Sequence, residues 1–108
     1  MSVTGEEIAR AEELLEPVGG LTFRKMMGGV SFYSHGTIFA ILSSQGTVYL
    51  KASGEMARKL HGLGGVTFSM VRKDGTVGRM GYVSLTEETL DDPDLVAELG
   101  REALAALA

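Results

Sequence analysis

The 108-residue chain contains no cysteine and no tryptophan, and it has only two prolines. Without cysteine it can form neither disulfides nor thiolate metal sites, and no cysteine can act as a nucleophile. The apolar run 38–42 in the middle of the chain is far shorter than a membrane-spanning helix. The first residues, MSVTGEEIAR, do not follow the basic-then-apolar order of a signal peptide. We therefore expect a cytoplasmic protein without a membrane segment.

Acidic and basic residues are unevenly distributed along the chain. Residues 1–16 contain five acids and one arginine, residues 87–108 contain seven acids and one arginine, and residues 17–86 contain eight lysines or arginines and two acids. A basic segment of this kind can mark a surface that binds nucleic acid or another anion. The net charge of −4 favours the alternative, in which acidic helices flank a basic sheet, because nucleic-acid-binding domains are usually basic overall.

Three segments carry the signals of helices. Thr4 and Glu7 have the spacing of a capping box, and a helical apolar pattern follows until Pro17. A second helix is predicted over the segment GEMARKLHGL. The third begins at Pro93 behind Asp92, because proline is favoured at the first position of a helix and aspartate at the N-cap.

Five segments between these helices are rich in β-branched and aromatic residues, namely VSFY, TIFAIL, TVYLKA, VTFSMV and GRMGYVSL. Short glycine-containing links join the first three, and Asp74-Gly75 between the last two is a strong hairpin signal. The order α-β-β-β-α-β-β-α predicts one two-layer α+β domain over residues 1–108, with an antiparallel five-stranded sheet and helices on one face. Because TIFAIL is apolar on both faces, we expect the other face to be partly covered, for example by a second copy of the chain.

The segment RKMMGGVSFYSHGTIFAIL, residues 24–42, has the most distinctive local pattern. It contains no glycine-rich phosphate-binding motif, and Gly28-Gly29 stands between two strand-like pieces instead of before a helix. The pattern favours a glycine bend between strands, with Arg24 and Lys25 at an edge of the sheet. Capture of an anion by these two cations beside exposed glycine amides is the alternative.

Few residues suggest catalysis or metal binding. His35 and His61 occur in a predicted turn and near a predicted helix end, and they lack the spacing of a zinc site. The serines lack a nucleophile-elbow motif, and helix capping accounts for the acidic run 91–94. We therefore expect no metal, no cofactor and no enzymatic activity.

Tyrosines and lysines of the predicted strands suggest an exposed surface on the sheet, formed by Tyr33, Tyr49, Lys51 and Lys73. Aromatic rings among cations can stack on bases and hold phosphates. Tyrosines on an open sheet face are more often part of cross-strand packing or of a protein interface. The methionines, including Met26, are expected to fill the core.

The segments KMMGGVSFYSHGTIFAIL, VYLKA and YVSLTEETLDDPDLVAELGREALAAL, in this order, resemble the N-terminal domain of the TfoX/Sxy competence regulators. The resemblance extends over about residues 9–107. It implies a two-layer α+β fold similar to secretion-chaperone-like domains, and a non-enzymatic role in regulating DNA-uptake genes. Regulators of this family also have a second, C-terminal domain, and this sequence ends near the point where that domain would begin.

The resemblance carries over motif positions and no catalytic residues. These positions are Lys25, Met26, Gly28, Gly29, Tyr49 and Lys51, and Arg24 joins them as a candidate binding residue. We expect the motif positions to be structural. The predicted function is a protein-interaction module in transcription regulation, expected to form a homodimer, and binding of nucleic acid or an anionic ligand through the basic middle is the alternative.

Overall fold

The computed structural model describes residues 3–26, 28–71 and 73–107 of the chain. The helices of this part are α1 (Gly5–Leu15), a one-turn 3-10 helix (Glu16–Val18), α2 (Gly54–Gly62), α3 (Glu87–Leu90) and α4 (Pro93–Leu107). The strands are β1 (Leu21–Met26), β2 (Gly29–Ser34), β3 (Thr37–Leu42), β4 (Val48–Lys51), β5 (Thr67–Val71) and β6 (Val77–Ser84). They form one sheet in the order β1-β2-β3-β4-β6-β5, with antiparallel neighbours.

The predicted α+β class with an antiparallel sheet is confirmed, but the sheet has six strands and not five. The additional strand is β1, at one edge of the sheet. Its residues from Thr22 to Met26 are all exposed. In the sequence, the adjacent cations Arg24 and Lys25 interrupt the apolar-polar alternation that begins at Leu21. A short helix, α3, also precedes the predicted last helix.

Capping contacts confirm the predicted starts of α1 and α4. The Glu7 backbone N–H donates to the Thr4 hydroxyl at 3.1 Å, and the Thr4 N–H donates to the Glu7 carboxylate at 2.9 Å, which completes the capping box of α1. At the start of α4, the Leu95 N–H donates to the Asp92 carboxylate at 3.2 Å. These contacts satisfy backbone donors that the first turn of a helix leaves free.

One face of the sheet, called here the helix face, packs against the helices. Alternate strand residues such as Val30, Phe32, Leu50 and Val83 are buried there, together with core residues from all four α-helices in the described part of the chain. The opposite face, called here the open face, carries the other alternate residues, since successive side chains of a strand point to opposite sides. The helices therefore cover only one side of the sheet.

The segment TIFAIL has apolar side chains on both faces, and the pairing of β2 with β3 is irregular within it. Phe32 pairs with Ala40 and Tyr33 with Ile38, so Phe39 has no partner in β2. Both Phe39 and Ala40 are buried in the core, whereas Ile38 and Ile41 lie on the open face and are half-buried. The prediction that this strand is apolar on both faces is confirmed.

The two layers differ in charge. None of the six strands in the described part contains Asp or Glu, and the strands carry Arg24, Lys25, Lys51 and Arg79. Thirteen of the fourteen acids belong to the helices and the short link before α4, and Asp74 lies in the β5–β6 turn. The sheet is thus cationic and the helical layer acidic. No helix within the described residues is both long and apolar enough to cross a membrane.

Candidate functional site

The open face is a surface on which several of the described aromatic and aliphatic side chains stay partly accessible. Cross-strand pairing places Ser31, Ile41, Tyr49 and Ser84 in one row across β2, β3, β4 and β6. Other open-face residues, by the same alternation, are Thr22, Arg24, Met26, Tyr33, Ile38, Lys51 and Tyr82. The face therefore combines aromatic, aliphatic and cationic side chains.

Two aromatic rings of the open face are in direct contact. Tyr49 meets Phe68 of β5 edge-on, with ring centroids 4.9 Å apart and an angle of 75° between the planes, a favourable geometry for aromatic pairs. Tyr82 is only 6% exposed. Burial raises the pKa of the Tyr82 hydroxyl, and the neighbouring Tyr33 raises this pKa further. Tyr33, Tyr49 and Phe68 remain half-buried and form the accessible part of this aromatic cluster.

Three of the predicted site residues lie beside this cluster or on its strands. Tyr49 and Lys51 share the open face on β4, as predicted, and Arg24 occupies the same face on β1. Met26, which was expected to fill the core, is 51% exposed, so this prediction is wrong. The Ser31 hydroxyl donates to the Met26 sulfur, which holds the methionine against the open face.

The remaining motif positions lie at the end of β1 on the helix side. Lys25 belongs to the helix face because it pairs with Val30. Gly28 has φ +83° in the turn between β1 and β2, a conformation that favours glycine. A Cβ atom on Gly29 would clash with the Leu42 carbonyl oxygen. The predicted glycine bend is confirmed, and so is the place of the basic pair on an edge strand.

A cavity of about 380 Å³ lies between the end of β1 and the start of α1. Its lining includes Val3, Gly5, Ile8, Lys25 and Met26. The backbone N–H of Val3 donates to the carbonyl oxygen of Gly28 at 2.9 Å, which fixes the start of α1 beside this turn. The described lining of the cavity thus combines apolar side chains, glycine backbone and the Lys25 cation.

Both histidines make structural contacts in the described part of the chain. His61 Nδ1 lies 3.0 Å from the Gly65 carbonyl oxygen, and Nε2 lies 3.2 Å from the Thr67 hydroxyl, so the ring links the end of α2 to β5. His35 has φ +48° in the β2–β3 turn. Among the described residues, no three histidine, aspartate or glutamate side chains are grouped closely enough to hold a metal ion.

Sequence reasoning found part of the open face and missed part of it. It placed Tyr33, Tyr49 and Lys51 there, whereas Lys73 lies in the β5–β6 turn and not on a strand. It missed Phe68 and Tyr82. The alternation of side chains along β5 and along β6 shows which residues of each strand share a face. Whether that face is the open face follows only from the pairing of β6 with β4.

Comparison with known proteins identifies the family of the chain. No curated protein matches the sequence at a significant level. The family model of the TfoX N-terminal domain matches residues 13–107, which include all six strands and α2, α3 and α4. The match therefore covers nearly the whole chain, and the chain belongs to the TfoX N-terminal domain family.

Proposed function

We propose that the chain is a small, non-enzymatic regulatory module that acts in the cytoplasm through contacts with other proteins in the control of DNA-uptake genes. We also propose that it self-associates as a homodimer. The observation that carries the contact with other proteins is the open face, where the rings of Tyr33, Tyr49 and Phe68 stay partly accessible although the helices pack on the other side of the sheet. Family membership supports the regulatory part of the proposal.

The composition of the open face supports protein binding. Aromatic residues, methionine and arginine are enriched in the centres of protein interfaces, and acidic residues are depleted there. The open face presents Tyr33, Tyr49, Met26 and Arg24 and no acidic residue from the described strands. The aromatic rings are rigid anchors of the kind that dominates binding energy at such interfaces.

Nucleic-acid binding is the second candidate, and the acid-free sheet favours it. Lys51 lies on the same strand and face as Tyr49, and such pairs can hold a phosphate while a base stacks on the ring. The packing of Tyr49 against Phe68 reduces the ring surface available for stacking. The acidic helical layer also opposes approach of a polyanion, since the net charge is −4.

A light-scattering measurement of mass separates these candidates. The protein alone and with a short DNA duplex is measured at low and at moderate salt, and we expect a dimer whose mass is unchanged by DNA. A DNA-bound species that dissociates as salt increases, and that is weakened by Lys51→Ala but not by Arg58→Ala, would establish the alternative. Arg58 is the matched control because it is an exposed cation on α2.

A pull-down with two variants tests the open face itself. We expect a protein partner to be recovered by the native chain, to be lost with Tyr49→Asp and to be retained with Thr37→Asp. Thr37 is an exposed residue at the start of β3, so it controls for the added charge. A strictly monomeric chain that recovers no partner would contradict the proposed function.

A further inference from the structure

The free edge of β1 is the second accessible surface that the folded chain offers to a partner. β1 pairs with β2 on one side and is the last strand of the sheet on the other. Its pairing has no bulge and it contains no proline, two features that commonly prevent an edge strand from pairing, and its edge charges are Arg24 and Lys25. Six residues of regular strand are therefore available for addition of another strand.

The backbone groups of β1 that face outward can be assigned from the ladder. The His35 N–H donates to the Gly20 carbonyl oxygen at 3.0 Å, and this pair continues the register that joins Leu21 to Ser34. Antiparallel ladders alternate between hydrogen-bonded and non-hydrogen-bonded pairs. The backbone N–H and C=O groups of Thr22, Arg24 and Met26 therefore point to β2. Those of residues 21, 23 and 25 point outward from the edge of the sheet.

The strip between β1 and helix α1 is called here the groove, and its cavity lies at the Lys25 end. The charge along this strip changes from basic at that end to acidic toward the start of β1. Helix α1 runs antiparallel to β1, because its start lies beside the end of β1 and the chain returns through 16–20 to the start of β1. Gly5 and Ile8 of α1 line the cavity beside Lys25. Residues four apart share one face of a helix, so Glu12 and Glu16 continue this face toward the start of β1.

The opposite side of α1 is already occupied, which supports this assignment. The Arg10 guanidinium contacts the Glu87 carboxylate of α3 at 3.1 Å, and Glu7 and Leu14 line a second cavity together with Leu90 of α3. Glu12 and Glu16 are exposed and lie on the side of the helix away from Arg10. The groove along β1 thus ends in Lys25 on one side and in these two glutamates on the other.

We propose that the edge of β1 is the self-association site of this chain, in which two copies pair antiparallel about a two-fold axis at Phe23. This inference rests on the proposed function, which includes a homodimer, and it adds the interface and its register. An antiparallel two-fold arrangement brings the Lys25 end of each groove to the Glu12 and Glu16 end of the other copy. The groove is therefore complementary in charge to a second copy of itself.

The register about Phe23 uses all the outward-facing backbone groups. Phe23 pairs with Phe23 of the second copy, and Lys25 pairs with Leu21 of the second copy, so each of the three outward residues donates and accepts a hydrogen bond. Phe23 is 36% exposed and would be covered by its counterpart. The Leu21 side chain of the second copy would lie on the helix side next to Lys25, at the cavity.

The same register keeps the cations of the edge apart. Arg24 faces Thr22 of the second copy on the open face, and its own counterpart is a diagonal neighbour about 7–8 Å away, so no two cations stand directly opposite each other. The described strands carry Arg24 and Lys51 on the open face and no acidic residue, so the open face offers no strand carboxylate to the cations of another copy. The edge of β1 is therefore favoured over the open face for contact between two copies.

Two substitutions at Thr22 test the interface and its register with opposite expected signs. Thr22→Glu places a carboxylate directly opposite Arg24 of the second copy, and Thr22→Lys places a like charge there. Cross-strand charge pairs are worth a few tenths to about 1 kcal/mol each and occur twice in the dimer, so we expect the dimer dissociation constant to decrease about fivefold for Thr22→Glu. For Thr22→Lys it is expected to increase by a similar factor, roughly fivefold.

The measurement is sedimentation equilibrium of the full chain over a range of concentrations, with Thr37→Glu and Thr37→Lys as controls for net charge. Thr22 and Thr37 are both exposed, and urea unfolding confirms that each variant is folded. Opposite shifts at Thr22 with no shift at Thr37 would establish the interface. A dimer that responds to none of the variants would overturn this inference and leave the proposed function standing, whereas a chain that stays monomeric even as Thr22→Glu would overturn the inference and the homodimer together.

Discussion

The two faces of the sheet are built from alternate residues of the same strands, but they differ in burial and in charge. On the helix face, Phe32 and Leu50 are completely buried, whereas Tyr33 and Tyr49 on the open face stay half-buried. Helix packing requires apolar residues on the first set of positions, since burial of apolar surface is the main stabilising term of a small domain. The fold has no comparable requirement for aromatic rings on the second set, which is why we assign binding to it.

A pair of aromatic substitutions is expected to give the largest contrast between the faces. Phe32→Ala removes a ring that is 0% exposed and should lower the free energy of unfolding by about 3–5 kcal/mol. Tyr49→Ala removes a ring that is already partly in water, so we expect a loss of about 1–2 kcal/mol. Urea denaturation of the two variants provides both values.

The effect on partner binding should be larger for Tyr49→Ala than for Phe32→Ala, which is the reverse of their effects on stability. A Tyr49→Ala chain that is folded should lose its protein partner, because the ring is an accessible anchor of the open face. Equal losses of stability for the two substitutions would show that the open face is part of the core. Retention of the partner by folded Tyr49→Ala would show that the open face is not the binding surface.

Glycine substitutions distinguish positions that the sheet requires from positions that it tolerates. A Cβ atom at Gly29 would clash with the backbone carbonyl of Leu42, so Gly29→Ala should destabilise the chain by about 1–3 kcal/mol. Gly62 at the end of α2 has no atom within 4 Å of an added Cβ, and Gly62→Ala should be neutral or stabilising by up to about 1 kcal/mol. Thermal unfolding measures both, and a neutral Gly29→Ala would contradict the structural role of this motif position.

The fold could be predicted from the sequence largely because local signals agree with one another. The capping box at Thr4, the Asp92-Pro93 helix start and the Asp74-Gly75 turn each specify a boundary through contacts within four residues. The sequence indicates β1 only as a strand-like piece before the glycine bend and not as one of the five predicted strands, because Lys25 breaks the alternation that begins at Leu21. An edge strand is identified by its partner, here β2, and pairing between strands is not a local property.

The candidate site was predictable only in part for the same reason. Tyr49 and Lys51 share a strand, so alternation alone places them on one face. Tyr82 lies on the same face because β6 pairs with β4, although α2 and β5 separate these strands in the sequence. Phe68 lies there because its ring packs against Tyr49. The exposure of Met26 could not be predicted, since methionine is common both in cores and at binding surfaces.

Helix capping in the acidic layer offers a smaller contrast with a matched control. Thr4 caps α1 through its hydroxyl, and Thr4→Ala should lower the free energy of unfolding by about 1 kcal/mol. Ser53 occupies the N-cap position of α2 but makes no side-chain capping bond. Ser53→Ala should therefore change the free energy of unfolding by only about a few tenths of a kcal/mol. Equal effects in chemical denaturation would contradict the assigned caps.

The titration of Tyr82 is the subtlest test of the difference between the faces. Burial, with Tyr33 nearby, raises the pKa of Tyr82 above the value of about 10 that a tyrosine has in an unfolded chain. The folded state therefore favours the neutral hydroxyl. The preference for the neutral hydroxyl adds to the free energy of unfolding in full below about pH 10, the pKa of Tyr82 in the unfolded chain. It is lost as the pH rises through the higher pKa of Tyr82 in the folded chain.

Tyr82→Phe removes the ionising group and keeps the ring on the open face. We expect the free energy of unfolding to fall less steeply with alkaline pH in this variant than in the native chain. When the phenolate absorbance is titrated with pH, the variant should also lack the step that occurs at the highest pH in the native chain. An identical pH dependence in both chains would mean that Tyr82 is solvated like an ordinary surface tyrosine, and that the centre of the open face is wetter than its burial indicates.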